Sequence, residues 1–480
     1  MRKTLRICAF ITIAFHLGAQ TVPDPLAEAQ RTMNDRLRAG DLDGARDVAD
    51  RAAKAHPELP ALWTALGHID YLRADFQNAE MEFKSALQRD QKAARAWVGL
   101  GMVFEAASQR EKARICYLKA YQENPRDALA NRYYGRTLTG AQRLERYEEY
   151  LANVAEDDDP QAVAATRQAV TELRALGGKK SFILNSPLAS TEIKLSHLMF
   201  DANRIRGFAL PVSINGSKPL RLLLDTGASG LLLNTKPAAA IGLDPIATQT
   251  VRGIGDEGER TGDVAVAERV KIGDVEFSNC TVVISDKETL TGQDGIVGAD
   301  IFDKFLVTID IQKMLLQLDP LPAHKTPPKV EDWQDSEAAP QFANFTSFWR
   351  VGHDILLSTR VVSSRVRDAK PVLFLIDTGS STSLIDPDYA RQFGSVGKED
   401  LVQMRGASGK VRSVQSTTQL TFEFGHYRQP VPEMLAIPLE KNEPNSPRMT
   451  GIFGITTLAE FRVQIDYRDG LINLVYNGQK

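Results

Sequence analysis

The sequence predicts a multidomain chain: an all-α repeat region followed by two all-β lobes that are copies of each other. Three observations predict it. From about Pro25 to Leu138 the sequence repeats every 34 residues. After Gly178 the pattern changes to short strand-like runs bounded by turn residues. An apolar run ending in Asp-Thr-Gly, then a small residue and Ser, occurs twice, at Leu222–Ser229 and Phe374–Ser381.

The repeat is visible position by position. Gly67, Gly101 and Gly135 fall in register, as do Trp63 and Trp97, Phe83 and Tyr117, and Ala45, Ala79 and Ala113. Pro57 and Pro125 lie two periods apart, at joints between units. Small residues allow paired helices to approach closely, while the aromatics fill the space between neighbouring pairs. A 34-residue helix–turn–helix period with Trp-x-x-x-Gly resembles the tetratricopeptide (TPR) repeat. The resemblance implies an all-α TPR solenoid of about three repeats, bounded as 25–178 with Gln161–Leu176 as a closing helix that ends at Gly177-Gly178. It also implies a concave surface for a peptide or protein partner, the alternative being a spacing domain with no partner.

An apolar run ending in Asp-Thr-Gly reads as a buried strand breaking into a tight turn, with Asp225 and Asp377 held at strand ends and Gly227 and Gly379 relieving the turn. Two carboxyls a few ångströms apart cannot both ionise, so they share a proton. One then activates water while the other protonates a carbonyl oxygen. Thr226 and Thr378 each offer a hydroxyl suited to bonding across a two-fold seam, and Ser229 and Ser381 are placed to bond the carboxylates and the turn. The duplication extends downstream: Gly295–Asp310 aligns without gaps on Gly451–Asp466, sharing both Gly residues, Ile, Phe, Val, Ile and the final Asp.

These motifs resemble the aspartic protease superfamily, its retropepsin-like branch more than the pepsin branch. Ile296-Val297-Gly298 and Ile452-Phe453-Gly454 match the apolar-apolar-Gly element that packs beneath the catalytic turn in that family. The resemblance implies Asp225 and Asp377 as the catalytic pair, two lobes related by pseudo two-fold symmetry, a peptide or protein substrate, and neither cofactor nor metal. It also implies a mobile flap from each half: Gly253, Ile254 and Gly255 in lobe one, Gly406, Ala407 and Ser408 in lobe two. The pepsin flap tyrosine has no counterpart here. Gly253, Gly255 and Gly258 also satisfy a dinucleotide-binding spacing, but the alternation from Asp263 to Ile272 is of strand type where that motif needs a helix.

The boundaries follow from composition. Lobe one is placed at 195–318 and lobe two at 343–477, with the proline-rich stretch 319–342 as an extended linker. With 480 residues the chain is long enough for several cores, and 43% apolar with 25% charged residues is ordinary for globular protein. A formal charge of −3 argues against nucleic acid as partner. Arg2, Lys3 and Arg6 precede an apolar run from Ile7 to Leu17 and a small-residue exit at Gly18-Ala19, the layout of a signal peptide at 1–19. The chain is then exported, to the periplasm in a bacterium and otherwise secreted, with no stable membrane span after cleavage; an uncleaved N-terminal anchor is the alternative. Cleavage would remove three positive charges and no acidic ones, taking the charge from −3 to −6. Cys8 would leave with the leader, and Cys116 and Cys280 read as two buried thiols in different domains.

Two functional readings emerge. One is an exported aspartic-type endopeptidase with a TPR domain for protein or peptide interaction. The other is an inactive exported scaffold that binds peptide on the same folds. The scattered His residues include no His-Glu-x-x-His motif, and no Gly-x-Ser-x-Gly elbow occurs. The lobes could pair within one chain or between two, and the reach of the linker favours one chain.

Overall fold

The computed structural model describes residues 25–155, 159–202, 204–285, 293–326, 328–329, 333–439 and 446–478, with the side chains of Pro25 and Leu26 left aside. The expected leader at 1–19, with Cys8, lies outside the described residues. The chain divides into two compact units, a helical one reaching to Val170 and a β-rich one that starts at Thr171 and carries both lobes.

The helical unit is built of hairpins: α1 (Pro25–Arg38) with α2 (Leu42–Ala55), α3 (Pro60–Leu72) with α4 (Phe76–Arg89), α5 (Ala94–Ala106) with α6 (Arg110–Glu123), and α7 (Ala128–Arg136) with α8 (Gly140–Asn153). The starts of α3, α5 and α7 are spaced 34 residues apart, as are those of α2, α4 and α6, so the sequence period is the structural period. Asp41, Asp75 and Asp127 cap α2, α4 and α7 through backbone N–H groups of Gly44, Asn78 and Ala130. Ala45, Ala79 and Ala113 are buried. A Cβ at Gly67 would press on the ring of Phe83, and one at Gly101 would collide with Tyr117, so glycine here makes room for the aromatic of the next helix. The conserved-in-register tryptophans have a different task from these rings. Half-buried, Trp63 and Trp97 donate their indole N–H to the carbonyls of Pro57 (3.0 Å) and Gln91 (2.8 Å). Asn131, one period further on, repeats the bond to Pro125 O at 2.6 Å. A last helix, α9 (Pro160–Ala175), ends where Gly178 N–H returns to Leu173 O at 2.8 Å.

In the β unit, strands at Ile183–Leu184 and Thr191–Lys194 already pair into the sheets. Each lobe repeats one arrangement around its Asp-Thr-Gly strand. In lobe one, Leu220–Asp225 runs between Ile205–Ile214, antiparallel, and Gly295–Gly298, parallel. In lobe two, Val372–Ile376 runs between Asp354–Val362, antiparallel, and Met449–Phe453, parallel. Being buried on both faces explains why these strands read as unbroken apolar runs.

A six-stranded sheet joins the lobes. Its central pair is Phe305–Asp310 from lobe one and Phe461–Asp466 from lobe two, antiparallel, with Thr308 opposite Gln464. Those two residues also stand opposite in the internal alignment of Gly295–Asp310 with Gly451–Asp466, so a local two-fold passes through this pair. The shared core is continuous across both lobes, from Val212, Leu222 and Val297 to Phe374, Phe422 and Phe453. In the 319–342 stretch, read as an extended linker, the described residues form two bridges, Thr326 with Glu337 and Lys329 with Gln334.

Candidate active site

The Asp-Thr-Gly turns meet at the end of their strands. Thr226 N–H donates to Thr378 Oγ1 (3.1 Å) and Thr378 N–H donates to Thr226 Oγ1 (3.0 Å). Each hydroxyl passes on to the opposite strand, Thr226 to Ile376 O (2.7 Å) and Thr378 to Leu224 O (2.9 Å). Both threonines are buried. Every donor and acceptor in this ring of four bonds is satisfied from the other lobe, so neither turn can shift alone.

That ring sets the two carboxyls side by side. Asp225 and Asp377 each lean on the glycine of the opposite turn. A Cβ at Gly379 would collide with the Asp225 carboxyl, and one at Gly227 would stand 2.9 Å from Asp377 Cγ. Any larger residue would push the pair apart.

The carboxyls differ in their backbone support. Asp225 Oδ1 accepts one N–H, from Gly227 at 2.8 Å. Asp377 Oδ1 accepts two, from Gly379 at 2.8 Å and Ser380 at 3.1 Å. Burial among protein atoms raises both, and for Asp225 the adjacent Asp377 charge raises it further, well above the ordinary carboxylate range. Asp377 is also raised, with the hydrogen bond from Asp225 and the two backbone N–H groups holding it back. The two carboxyls interact too closely to titrate independently, so their protonation belongs to the pair.

Ser229 turns away from the pair. Its hydroxyl donates to Asp300 Oδ2 (2.7 Å), and Gly230 N–H donates to Asp300 Oδ1 (3.0 Å), so this serine braces the turn instead of Asp225 or Asp377. Ser381 is half-buried beside its own turn, where Ser380 supplies the N–H to Asp377. The apolar-apolar-Gly elements run beside the Asp-Thr-Gly strands: Gly298 is in register with Asp225, and Asp377 N–H bonds Phe453 O at 3.0 Å.

The six flap residues come together. Lobe one's flap is the turn between Pro245–Val251 and Arg260–Ile272, and strand structure beyond Gly258 removes the dinucleotide reading. Lobe two's flap is the hairpin Met404–Gly406 with Gly409–Val411. Their tips interlock. Gly253 N–H donates to Ser408 Oγ (3.1 Å), Ser408 N–H to Ile254 O (2.9 Å), and Glu257 N–H to Ser408 O (2.9 Å). Asp256 extends the clasp, giving its N–H to Lys410 O (2.9 Å) and accepting Arg412 N–H (2.7 Å).

Three residues outside the sequence-derived set belong to this neighbourhood. Asp300 could have been singled out as a departure within the duplication, since its aligned partner is Thr456. Arg206 donates from Nη1 to Gly379 O at 2.8 Å, and His353 Nε2 lies 3.3 Å from Gly227 O. No sequence motif marks either. Burial pushes the Cys280 thiol up to about 12, which makes it no candidate for a thiolate nucleophile. Among the described residues no group of His, Cys, Asp and Glu could hold a metal ion, and no helix is long and apolar enough to cross a membrane.

A family model described as aspartyl protease matches residues 210–301 and again 362–457, one match on each lobe. No curated protein matches the chain.

Proposed function

We propose, from a chain whose two β lobes belong to the aspartyl protease family, that it is an endopeptidase in which Asp225 and Asp377 hydrolyse peptide bonds as a shared-proton pair. The observation that carries this reading is that the threonine ring sets the two carboxyls side by side, each against the glycine of the opposite turn. In the reaction, the ionised member of the pair takes a proton from a water bound between the carboxyls. That water attacks the scissile carbonyl carbon, while the protonated member gives its proton to the carbonyl oxygen. The resulting gem-diol collapses as the carboxyl that took the water's proton passes it to the leaving amine, the C–N bond breaks, and a gem-diol hydroxyl returns its proton to the other carboxylate. The interlocked flap tips must part to admit an extended peptide and then close on it with strand-type hydrogen bonds.

The pair works while it holds one proton. Because burial and mutual repulsion raise Asp225, loss of that proton falls above the ordinary carboxylate range. Activity then extends from mildly acidic pH toward neutrality. Export rests on the charged and apolar pattern of residues 1–19, and the helical hairpins suit a TPR-like role in holding a partner or presenting substrate.

The test is digestion of a diverse peptide pool by the full chain between mildly acidic and neutral pH, read by mass spectrometry. Cleavage by the wild type and none by the Asp225→Asn/Asp377→Asn double variant is the expected result. A folded wild type that binds peptides and leaves every one intact would establish the scaffold reading instead.

A further inference from the structure

We propose that Arg206 forms a carboxylate-binding subsite beside the catalytic pair, which gives the enzyme a preference for an acidic group on one side of the scissile bond only. The proposal rests on the peptidase reading above and adds a substrate class to it.

The position is built by symmetry. Ala209 pairs with Leu223, two residues before Asp225, and Leu356 pairs with Leu375, two residues before Asp377. Arg206 and His353 each stand three residues upstream of that pairing, so they are equivalent positions of the two lobes. Each reaches the carbonyl of the opposite Asp-Thr-Gly glycine, Arg206 to Gly379 and His353 to Gly227. Gly379 in turn lies against the Asp225 carboxyl, which puts the guanidinium one residue from the reacting atoms.

What the two positions offer is different. The ring of His353 stands 3.3 Å from its own neighbour Asp354, so that side already carries a carboxylate. Arg206 uses only Nη1 on Gly379, and among the described residues nothing accepts a hydrogen bond from its Nε or Nη2. It is half-buried, and a charged hydrogen bond made there is stronger than in bulk water. The guanidinium packs 5.6 Å from the ring centre of Phe200, itself 57% exposed. A pair with one proton carries one negative charge and would repel an acidic substrate; Arg206 offsets that charge. Its planar fork matches a carboxylate bidentately. The carboxylate could be an Asp or Glu side chain or the free C-terminus of a peptide.

The experiment uses the full chain and a synthetic peptide pool with Glu and Gln at equal frequency, made both as free acids and as C-terminal amides. The expected result is about a tenfold enrichment of Glu over Gln at one fixed position beside the cleaved bond. Arg206→Leu should bring that ratio to near one, and Arg206→Lys should restore part of it. Enrichment confined to the free-acid pool at the peptide terminus would identify the terminal carboxylate as the ligand. No enrichment with wild type, or enrichment that survives Arg206→Leu, overturns the subsite. Should wild type cut nothing, the peptidase reading fails separately. Retention of the same pool on immobilised chain then decides the subsite: Glu peptides held by wild type and lost with Arg206→Leu support it, and equal retention of Glu and Gln overturns it.

Discussion

The two lobes are copies in strand order, in their Asp-Thr-Gly turns and in the ring of threonine bonds, yet they differ at nearly every charged position around the pair. Lobe one braces its turn with the Asp300 carboxylate, where lobe two uses the neutral hydroxyls of Thr456 and Ser383. Lobe one offers Arg206, where lobe two offers His353. Asp377 receives two backbone N–H groups and Asp225 one. Their cores differ as well: Phe374, Phe422, Phe424 and Phe453 pack ring against ring in lobe two, where Leu222, Val270, Ile272 and Val297 hold the equivalent registers in lobe one. Symmetry is kept where two groups must meet on an axis. It is given up in the charged side chains and backbone donors that surround them.

The largest effect should come from the pair itself. Asp225→Asn or Asp377→Asn removes a proton donor or a base and should each lower kcat about a thousandfold, measured by product formation from a cleaved peptide. The same variants should be more stable than wild type at neutral pH. Both carboxyls are raised in the folded chain, so folding holds protons that the unfolded chain has lost, and wild-type stability falls as pH rises through that interval. Stability that is equal or lower at neutral pH, measured by denaturant titration, would contradict the assigned strain at the pair.

The threonine ring tests the symmetric half of the comparison. Thr226→Val leaves Thr378 N–H and Ile376 O without partners, and Thr378→Val leaves Thr226 N–H and Leu224 O. Each should cost about 2–4 kcal/mol, and the two costs should agree within about 0.5 kcal/mol. A large difference between them would mean that the axis does not run through this ring.

Much of this was readable from the chain alone, for a physical reason. Asp225 and Asp377 announce themselves because a catalytic strand end needs a contiguous string of residues, and contiguity survives in sequence. The 34-residue period is legible because each helical hairpin packs only on its neighbours, so Gly101 and Tyr117 keep a fixed spacing. Arg206 and His353 were invisible because their equivalence exists only through strand pairing. The turns that follow their strands differ in length, Asn215–Pro219 against Ser363–Pro371, and break the sequence alignment while the register holds. Ser229 was expected to serve the carboxylates as well as the turn; its partner Asp300 lies 71 residues away, and no local pattern could disclose it. The clasp of Ser408 on Ile254 likewise joins two flaps that sequence places in separate lobes.

The braces behind the turns test the asymmetric half. Asp300→Ala removes two acceptors of a charged group and should lower kcat about tenfold, while Thr456→Val, which removes a neutral hydroxyl, should cost about threefold. Both should be read at saturating peptide, where a turn that misplaces its carboxyl shows in kcat more than in KM. Equal losses would mean that the charge of Asp300 has no special role in holding the lobe-one turn.

The smallest effect separates the aligned pair Asp310 and Asp466 at the ends of the two central strands of the joining sheet. Both are buried. Asp466 accepts backbone N–H groups from Arg468 (2.8 Å) and Asp469 (3.2 Å) on one oxygen, while its other oxygen has no hydrogen bond. Burial, and then the nearby Asp469 charge, push it up to about 6. Between about pH 4 and 6 the unfolded chain loses this proton and the folded chain keeps it, so stability falls as pH rises through that window and stays lower above it. Asp466→Asn is neutral throughout and keeps an acceptor for both N–H groups. It should raise the melting temperature at pH 7, with the gain disappearing by about pH 4. Asp310 has Lys313 Nζ at 3.6 Å and Lys313 N–H at 3.1 Å. Asp310→Asn breaks that ion pair and should cost about 0.5 kcal/mol at pH 7, the opposite sign from its copy. Two melting curves at pH 7 and two at pH 4 are enough: gains of the same sign from both substitutions would show that position in the sheet, and not the local charges, sets the stability of these carboxyls.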